Sequence, residues 1–377
     1  MKRWHWVAIA FCVAVILPTL IQRPDRTDLG LLYLGVDRLW AGEPVYRLSD
    51  ANEHTKPPLA TIAFAPFTTL SLFWLSRLWD VLNIAVYCAW VALLVRRLPS
   101  PSTRWTVGVL ATFVLMNPLN AELRLGQYNV LLFAWLCAAG FAKRSVGAGV
   151  GLCFAVLFKP TFVMLAPWVL QQVPKPKRVV FAGAVTAVCL VAAYCAVFGW
   201  PQFVADMQTW AAFLPQSSEK HLLRQDNHGL PSLLAAWTGI RFEQTLLLGG
   251  LACSAVASAR FKDGLLSLSC CAAAMIVCSP MAWLQNYALL LPAVVWLLGQ
   301  WESADRAERV WIALPVLSVF AGVGLLNPTT CKWTDCEMWT WQRFPLWGLA
   351  AAIVLVLIKA MDRARRTPSK RKQDNYA

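Results

Sequence analysis

Long apolar runs alternate with short loops whose charge is mostly basic, and this alternation limits the fold more than any motif does. The runs lie near residues 5–21, 77–95, 105–117, 129–142, 146–159, 161–172 and 179–199, then 244–259, 264–280, 283–299, 310–326 and 345–360. A bilayer core about 30 Å thick takes roughly 20 apolar residues per helical crossing, and lipid admits no open strand edge. The pattern therefore predicts an all-α, polytopic transmembrane helix bundle of about twelve spans. Composition agrees, because 58% of residues are apolar and 14% charged, against about 25% charged in a soluble domain. The mean hydropathy is +0.52, and the 20 tryptophans suit a chain with many membrane–water boundaries.

The net charge of +14 sits largely between the runs. Lys2 and Arg3, Arg96, Arg97 and Arg104, Lys143 and Arg144, Lys175, Lys177 and Arg178 occupy the first of these loops. Arg260 and Lys262, Arg306 and Arg309, and the tail residues Arg363, Arg365, Arg366, Lys370, Arg371 and Lys372 continue the pattern. The positive-inside rule makes them cytoplasmic, along with both termini. One membrane domain then covers 1–360, a basic cytoplasmic tail covers 361–377, and the charge is a topology signal that implies no nucleic-acid partner. Counting Leu59 to Phe73 as a full crossing would invert every later basic loop, so this stretch reads as a re-entrant piece kinked near Pro66. The first run has no small-x-small cleavage site before Gln22 and reads as a retained helix. Most of the 12 cysteines fall singly inside runs, where a thiol packs as a small apolar group. Cys331 and Cys336 share an outer loop, where an oxidising compartment would permit a disulfide.

This orientation gives three outer loops, 22–57, 200–243 and 327–344, which hold most of the polar chemistry. The first carries Asp25, Asp28, Asp37, Glu43, Asp50 and Glu53. Within it, Thr27 to Gly42 predicts a helix on the membrane surface, with Thr27 as cap, Gly42 as stop and Leu29, Leu32, Val36, Leu39 and Trp40 on one face. Asp28 falls in the first turn, where an acid either complements the helix dipole or serves as a chemical base. Asp37 falls on another face about two and a half turns later, so the two carboxylates need not converge as the acids of a two-acid glycosidase must. Few ionisable groups fall inside the runs; the exception is Lys159, beside Pro160 near the outer end of a span, placed to snorkel or to pair with a lipid phosphate. His54 and Lys56 precede Pro57 and Pro58, and His221, Arg224 and His228 cluster in the second loop; both groups are exposed polarity or contacts for an anionic headgroup. The sequence has no phosphate loop, dinucleotide fingerprint, CxxC pair, HExxH or GxSxG, and its four histidines lack metal-ligand spacing.

The order of several short patterns resembles glycosyltransferase family 87, the polyprenyl-phosphate-sugar-dependent membrane transferases, over roughly residues 25–300. It starts with Thr27, Asp28 and Leu29, then Tyr33, Leu39, Gly42, Pro44 and Tyr46. Lys56 to Leu59, with Pro57 and Pro58, are similar to the family's Tyr-Pro-Pro-Leu, and Pro66 follows. Asn117 and Pro118, then Gly126, Gln127, Tyr128 and Asn129, resemble its Gly-Gln-x-Asn element at a helix start. Lys159 and Pro160 follow a glycine-rich helix, and Ser279, Pro280 and Trp283 look like its Ser-Pro-x-x-Trp. The chain departs at Lys56, where the family has an aromatic, and at Gln285 and Asn286, which stand at its His-rich position.

The resemblance implies a C-type glycosyltransferase fold in a bacterial inner membrane, with the active face outside the cytoplasm. It implies transfer of a hexose, mannose foremost, from a polyprenyl-phosphate carrier to a lipid or glycan acceptor. Asp28 is then the general base, and Lys159, Lys56, Arg224 and His228 are candidates for the donor phosphate. Gln127, Asn129, Gln285 and Asn286 are candidates for sugar contacts, with Gln127 and Asn129 equally suited to satisfying backbone at a helix start. The phosphate is already a stabilised leaving group, so one base and in-line displacement predict inversion. No cofactor or metal ligand set is expected, and a divalent-ion requirement is left open. Two other classes compete: a flippase that moves a lipid-linked saccharide intact, which internal repeats or a charged midplane cavity would favour, and a non-catalytic envelope subunit, in which Asp28 would be replaceable.

Overall fold

The computed structural model describes residues 28–47, 55–224, 227 and 229–320, and these residues form helices and no strands. The expected spans near 5–21 and 345–360, the end of the 310–326 run, Asp25, Thr27, Asp50, Glu53, His54, His228, the 327–344 loop with Cys331 and Cys336, and the tail lie outside them.

The surface helix expected in the first outer loop is α1, Asp28–Trp40, and Gly42 follows it at φ +68°, a left-handed conformation that glycine adopts without strain. Its buried face is Leu29, Leu32, Val36 and Leu39. The stretch read as re-entrant is a short helix, α2 (Pro58–Phe64), continued by a 3-10 turn, Ala65–Thr69, in which Pro66 sits at the start. Helix α3 (Leu72–Val95) follows. Next come α4 (Arg104–Val114) and α5 (Met116–Arg124), bent by 60° at the break between them. The rest of the bundle comprises α6 (Asn129–Phe141), α7 (Ser145–Phe158), α8 (Ala166–Gln172), α9 (Pro176–Phe198), α10 (Trp200–Leu222), α11 (Leu230–Thr238), α12 (Glu243–Arg260), α13 (Gly264–Val277), α14 (Leu291–Gly299) and α15 (Arg306–Val319).

Among the described residues, α3 and α9 are long and apolar enough to cross a membrane, and α4 with α5 makes a third if the bent pair is one span. Helices such as α6, α7 and α13 are apolar but shorter; 14 residues at 1.5 Å each reach only about 21 Å of a roughly 30 Å core. The expected twelve crossings are therefore not established by these lengths. A proline-led 3-10 segment at Pro160–Leu165 and a second 3-10 segment, before α14, at Leu284–Leu290 divide what the apolar pattern reads as single runs. The exteriors of the long helices suit lipid: Phe181, Val188 and Val197 of α9, and Trp74, Leu78 and Val81 of α3, are exposed.

The 200–243 stretch, expected as the second outer loop, is largely helical among its described residues, as α10 and α11. Pro201 sits in the first turn of α10, where its missing N–H costs nothing. Tyr194 and Phe213 join Leu39, Val45 and Tyr46 in a small core that ties α10 and α9 to the end of α1.

Close packing of the bundle depends on small residues. Helices α7 and α9 meet at Gly149, where an added Cβ would lie 2.3 Å from the Val179 carbonyl oxygen and 2.9 Å from the Ala182 methyl. Membrane helices commonly approach through such positions. Gly149→Ala is expected to destabilise the folded protein by about 1–3 kcal/mol, seen as a lower melting temperature in detergent or lipid. Gly249→Ala in α12, where a Cβ meets nothing within 4 Å, should leave melting unchanged.

Candidate active site

Helix breaks, rather than helix middles, supply the site. The start of α1, the 55–57 loop, the α5–α6 turn, the end of α7 and the stretch after α13 all open onto one cavity of about 860 Å³. Asp28, Lys56, Gln127, Asn129, Lys159, Arg224, Gln285 and Asn286 line it. These are the candidate residues from sequence except His228, which lies outside the described residues.

Asp28 is held from both sides of its peptide. Its backbone N–H donates to the Leu125 carbonyl at 2.7 Å, and its carboxylate accepts a hydrogen bond from Gln127 Nε2. Burial, the largest influence, pushes the Asp28 carboxyl above the ordinary carboxylate range, against the pull of Lys56, the Gln127 bond and Lys159. Burial pulls the Lys56 ammonium down, but Tyr128 and Asp28 outweigh it and raise it. Asp37, by contrast, is exposed on the far side of α1.

The α5–α6 turn presents Gln127, Tyr128 and Asn129 in order. Gly126 takes φ +60°, which sharpens the turn, and the Gln127 carbonyl accepts from Trp79 Nε1 at 3.0 Å and Asn83 Nδ2 at 3.3 Å. Lys56 Nζ stands 5.5 Å from the Tyr128 ring centroid, and Tyr46 fastens the Lys56 carbonyl at 2.9 Å. Trp210 of α10 donates to the neighbouring Thr55 carbonyl at 3.1 Å.

Opposite, Lys159 Nζ donates to Asn286 Oδ1 at 2.5 Å. The backbone around Lys159 is extended, with φ −150° and ψ 100°, between α7 and the 3-10 turn of Pro160. That break turns the ammonium into the cavity. Arg224 lies over Trp283, 5.1 Å from guanidinium carbon to ring centroid, and His221 meets the same ring edge-on at 5.9 Å. An apolar wall of Phe158, Val163, Met164, Leu214, Leu247 and Leu251 completes the cavity.

Three contributors were not foreseen from sequence. Glu122 is fully buried and accepts from Asn129 Nδ2 at 2.9 Å and from the Val130 N–H at 3.0 Å. Arg124 lines the cavity beside it. Asn227, also buried, donates to the Pro280 carbonyl at 2.7 Å and accepts from the N–H groups of Gly229 and Ala282 at 3.1 and 3.0 Å. It thereby staples the Ser279–Trp283 stretch to the end of α10. A lone Glu or Asn in a polar loop carries no periodic signal, so only the folded arrangement singles these out. Among the described residues no group of three or more His, Cys, Asp or Glu could hold a metal ion.

Comparison with known proteins bears on this cavity directly. The sequence model of glycosyltransferase family 87 matches residues 54–280, which include most of the cavity wall. A polyprenol-phosphate-mannose-dependent alpha-(1-2)-phosphatidylinositol mannoside mannosyltransferase of Mycobacterium tuberculosis is 24% identical, over 98% of this chain and 94% of its own. A Mycolicibacterium smegmatis protein of the same description is 25% identical, over 89% and 85%. A polyprenol-phosphate-mannose-dependent alpha-(1-2)-phosphatidylinositol pentamannoside mannosyltransferase of the same species is 27% identical, over 73% and 69%.

The Asn227 staple yields a direct expectation. Asn227→Ala removes several buried bonds, each worth about 1 kcal/mol net and more where a partner is left unpaired. A loss of about 2–4 kcal/mol in stability should follow, measured by thermal unfolding in lipid.

Proposed function

The chain belongs to glycosyltransferase family 87, and from that premise we propose that it moves a hexose, mannose foremost, from a polyprenyl-phosphate carrier to a lipid or glycan acceptor. The observation that carries this reading is the meeting of one carboxylate, Asp28, and two lysines, Lys56 and Lys159, in a single cavity that also has an apolar wall. The relatives' descriptions name a polyprenol-phosphate-mannose donor and phosphatidylinositol mannoside acceptors, and they support the same chemistry here.

In the proposed reaction Asp28 is the general base. An acceptor hydroxyl loses its proton to the Asp28 carboxylate as its oxygen bonds to the anomeric carbon, and the bond from that carbon to the carrier phosphate breaks with its electron pair. Lys159 and Lys56, with Arg224 as a further cation, stabilise the charge gained by the phosphate. Gln127, Asn129, Gln285 and Asn286 offer amides to sugar hydroxyls, and Phe158, Met164, Leu247 and Leu251 offer a surface for the start of a prenyl chain. Displacement from the face opposite the phosphate gives inversion. Trp210, His221 and Trp283 place aromatic edges at the same cavity, where a sugar ring or headgroup would pass. The fold is assigned as C-type glycosyltransferase, in the inner membrane, with this cavity on the extracytoplasmic side and the described basic loops on the other.

The test is sugar transfer by the purified full chain in lipid vesicles, with labelled polyprenyl-phosphate mannose and phosphatidylinositol mannosides. Asp28→Asn should lower kcat by about 10²-fold or more while the protein stays folded. Because burial raises the Asp28 carboxyl, the base is lost as pH falls through a value above the ordinary carboxylate pKa of about 3.9. The acid limb of kcat should therefore lie above that pH, and the product should show inverted anomeric configuration. Equal turnover by Asp28→Asn removes the base assignment. Movement of the intact donor between leaflets without any product overturns the transferase reading.

A further inference from the structure

Glu122 is a fully buried acidic side chain that the proposed reaction leaves without a task. Its two oxygens are both engaged. Oε1 accepts from the Val130 N–H at 3.0 Å, and Oε2 accepts from Asn129 Nδ2 at 2.9 Å. The same Asn129 Nδ2 reaches Gln127 Oε1 at 3.2 Å, and Gln127 Nε2 donates to the Asp28 carboxylate.

Each link dictates the direction of the next. A backbone N–H can only donate, so Oε1 must accept, and Oε2 meets the Asn129 amide nitrogen, which also can only donate. Asn129 must then turn its NH2 toward Glu122. That NH2 has a second hydrogen, which goes to Gln127 Oε1 and leaves Gln127 no choice but to present its own NH2 to Asp28. The carbonyl oxygen of Asn129 is buried with no hydrogen-bond partner among the described residues. Asn129 is therefore not oriented by its own carbonyl; the carboxylate behind it sets its direction.

We propose that Glu122 is a positioning residue, which acts through Asn129 to fix the amide of Gln127 with its N–H toward Asp28. This rests on the assignment of Asp28 as the base. The consequence is a site wired for one charge state: a donor amide stabilises the Asp28 carboxylate, whereas a reversed amide would set a carbonyl oxygen against it. The charged and titratable groups facing Asp28 are Lys56, Lys159 and, through Lys56, the Tyr128 phenol, with Arg124 on the same cavity wall. Among the described residues the side-chain oxygen of Gln127 accepts from Asn129 and from none of these groups, so they do not set its direction.

The simpler role for Glu122 is to cap the start of α6 at Val130, and Glu122→Gln separates the two. Its amide oxygen still accepts from Val130, but its NH2 now faces Asn129 and drives the relay to reverse. Transfer by the full chain in vesicles, with polyprenyl-phosphate mannose and a phosphatidylinositol mannoside, would be followed across pH. Losing a hydrogen bond to a charged group predicts a kcat about tenfold lower near neutral pH and an acid limb about one pH unit higher. Donor KM should change by less than about threefold, and Glu122→Asp should restore part of the limb's position. In a Gln127→Met background, Glu122→Gln should add no further shift. An unmoved acid limb, or shifts that simply add in the double variant, would overturn the proposal. Should Glu122→Gln not fold, Asn129→Ser cuts the same relay, and an unmoved limb there overturns it equally. Full activity of Asp28→Asn, by contrast, would sink the base assignment itself.

Discussion

An apolar bundle can break a helix only where the freed backbone groups find partners, and the site depends on how that requirement is met at the α5–α6 turn. An unpaired buried donor or acceptor costs about 1–3 kcal/mol. Glu122 takes the Val130 N–H, Trp79 and Asn83 take the Gln127 carbonyl, and the Leu125 carbonyl takes the Asp28 N–H. These bonds were needed to allow the turn at all. They also hold Gln127, Asn129 and Asp28 in register, so satisfying the backbone and orienting the polar side chains are one arrangement.

The same logic repeats across the cavity. The end of α7 is extended at Lys159 rather than capped by another turn, and the ammonium finds Asn286. The stretch after α13 is irregular, and Asn227 reaches in to satisfy it from the end of α10. Gly229 makes that approach possible, because a Cβ there would stand 2.2 Å from the Ser279 carbonyl oxygen. Irregular backbone is tolerated at such depth where protein buries it or where it lines a cavity, and here it does both.

What the sequence disclosed follows from this division. Apolar runs located the helices, and the Thr-Asp start with a Gly42 stop located α1, because helix signals are local and periodic. Resemblance to a family picked out Asp28, Gln127, Asn129 and Lys159 and marked Lys56, Gln285 and Asn286 as departures, while the polar cluster of the 200–243 stretch offered Arg224; these positions have no period of their own. Glu122 stayed invisible because a single acid in Asn-Ala-Glu-Leu-Arg reads as a polar connection; its burial is a property of the elements around it. Helix α10 was hidden for another reason: it is amphipathic, carries Pro215 inside it, and exposes much of its surface, so it lacks the apolar density that marks its neighbours. The number of crossings was the least legible feature, since a proline-led 3-10 segment and a loop between two spans look alike in one dimension.

The charge of the cavity gives the proposed reaction its direction. Asp28 shares the cavity with Lys56 and Lys159, and Arg124 and Arg224 stand at the wall as an excess of basic groups. A polyprenyl-phosphate sugar is a phosphodiester with one negative charge, and its departing phosphate is a monoester with up to two. In the proposed step Asp28 gains a proton just as the phosphate gains charge, so a negative charge moves across the cavity while the total is conserved. In a poorly screened site that displacement is favourable only if the cations lie nearer the phosphate than the base. Lys159, hydrogen-bonded to Asn286 rather than to Asp28, is the cation assigned that role. A lysine paired tightly with Asp28 would instead stabilise the state before transfer, which is why the neutral amide of Gln127, and not an ammonium, is the group that should touch the base.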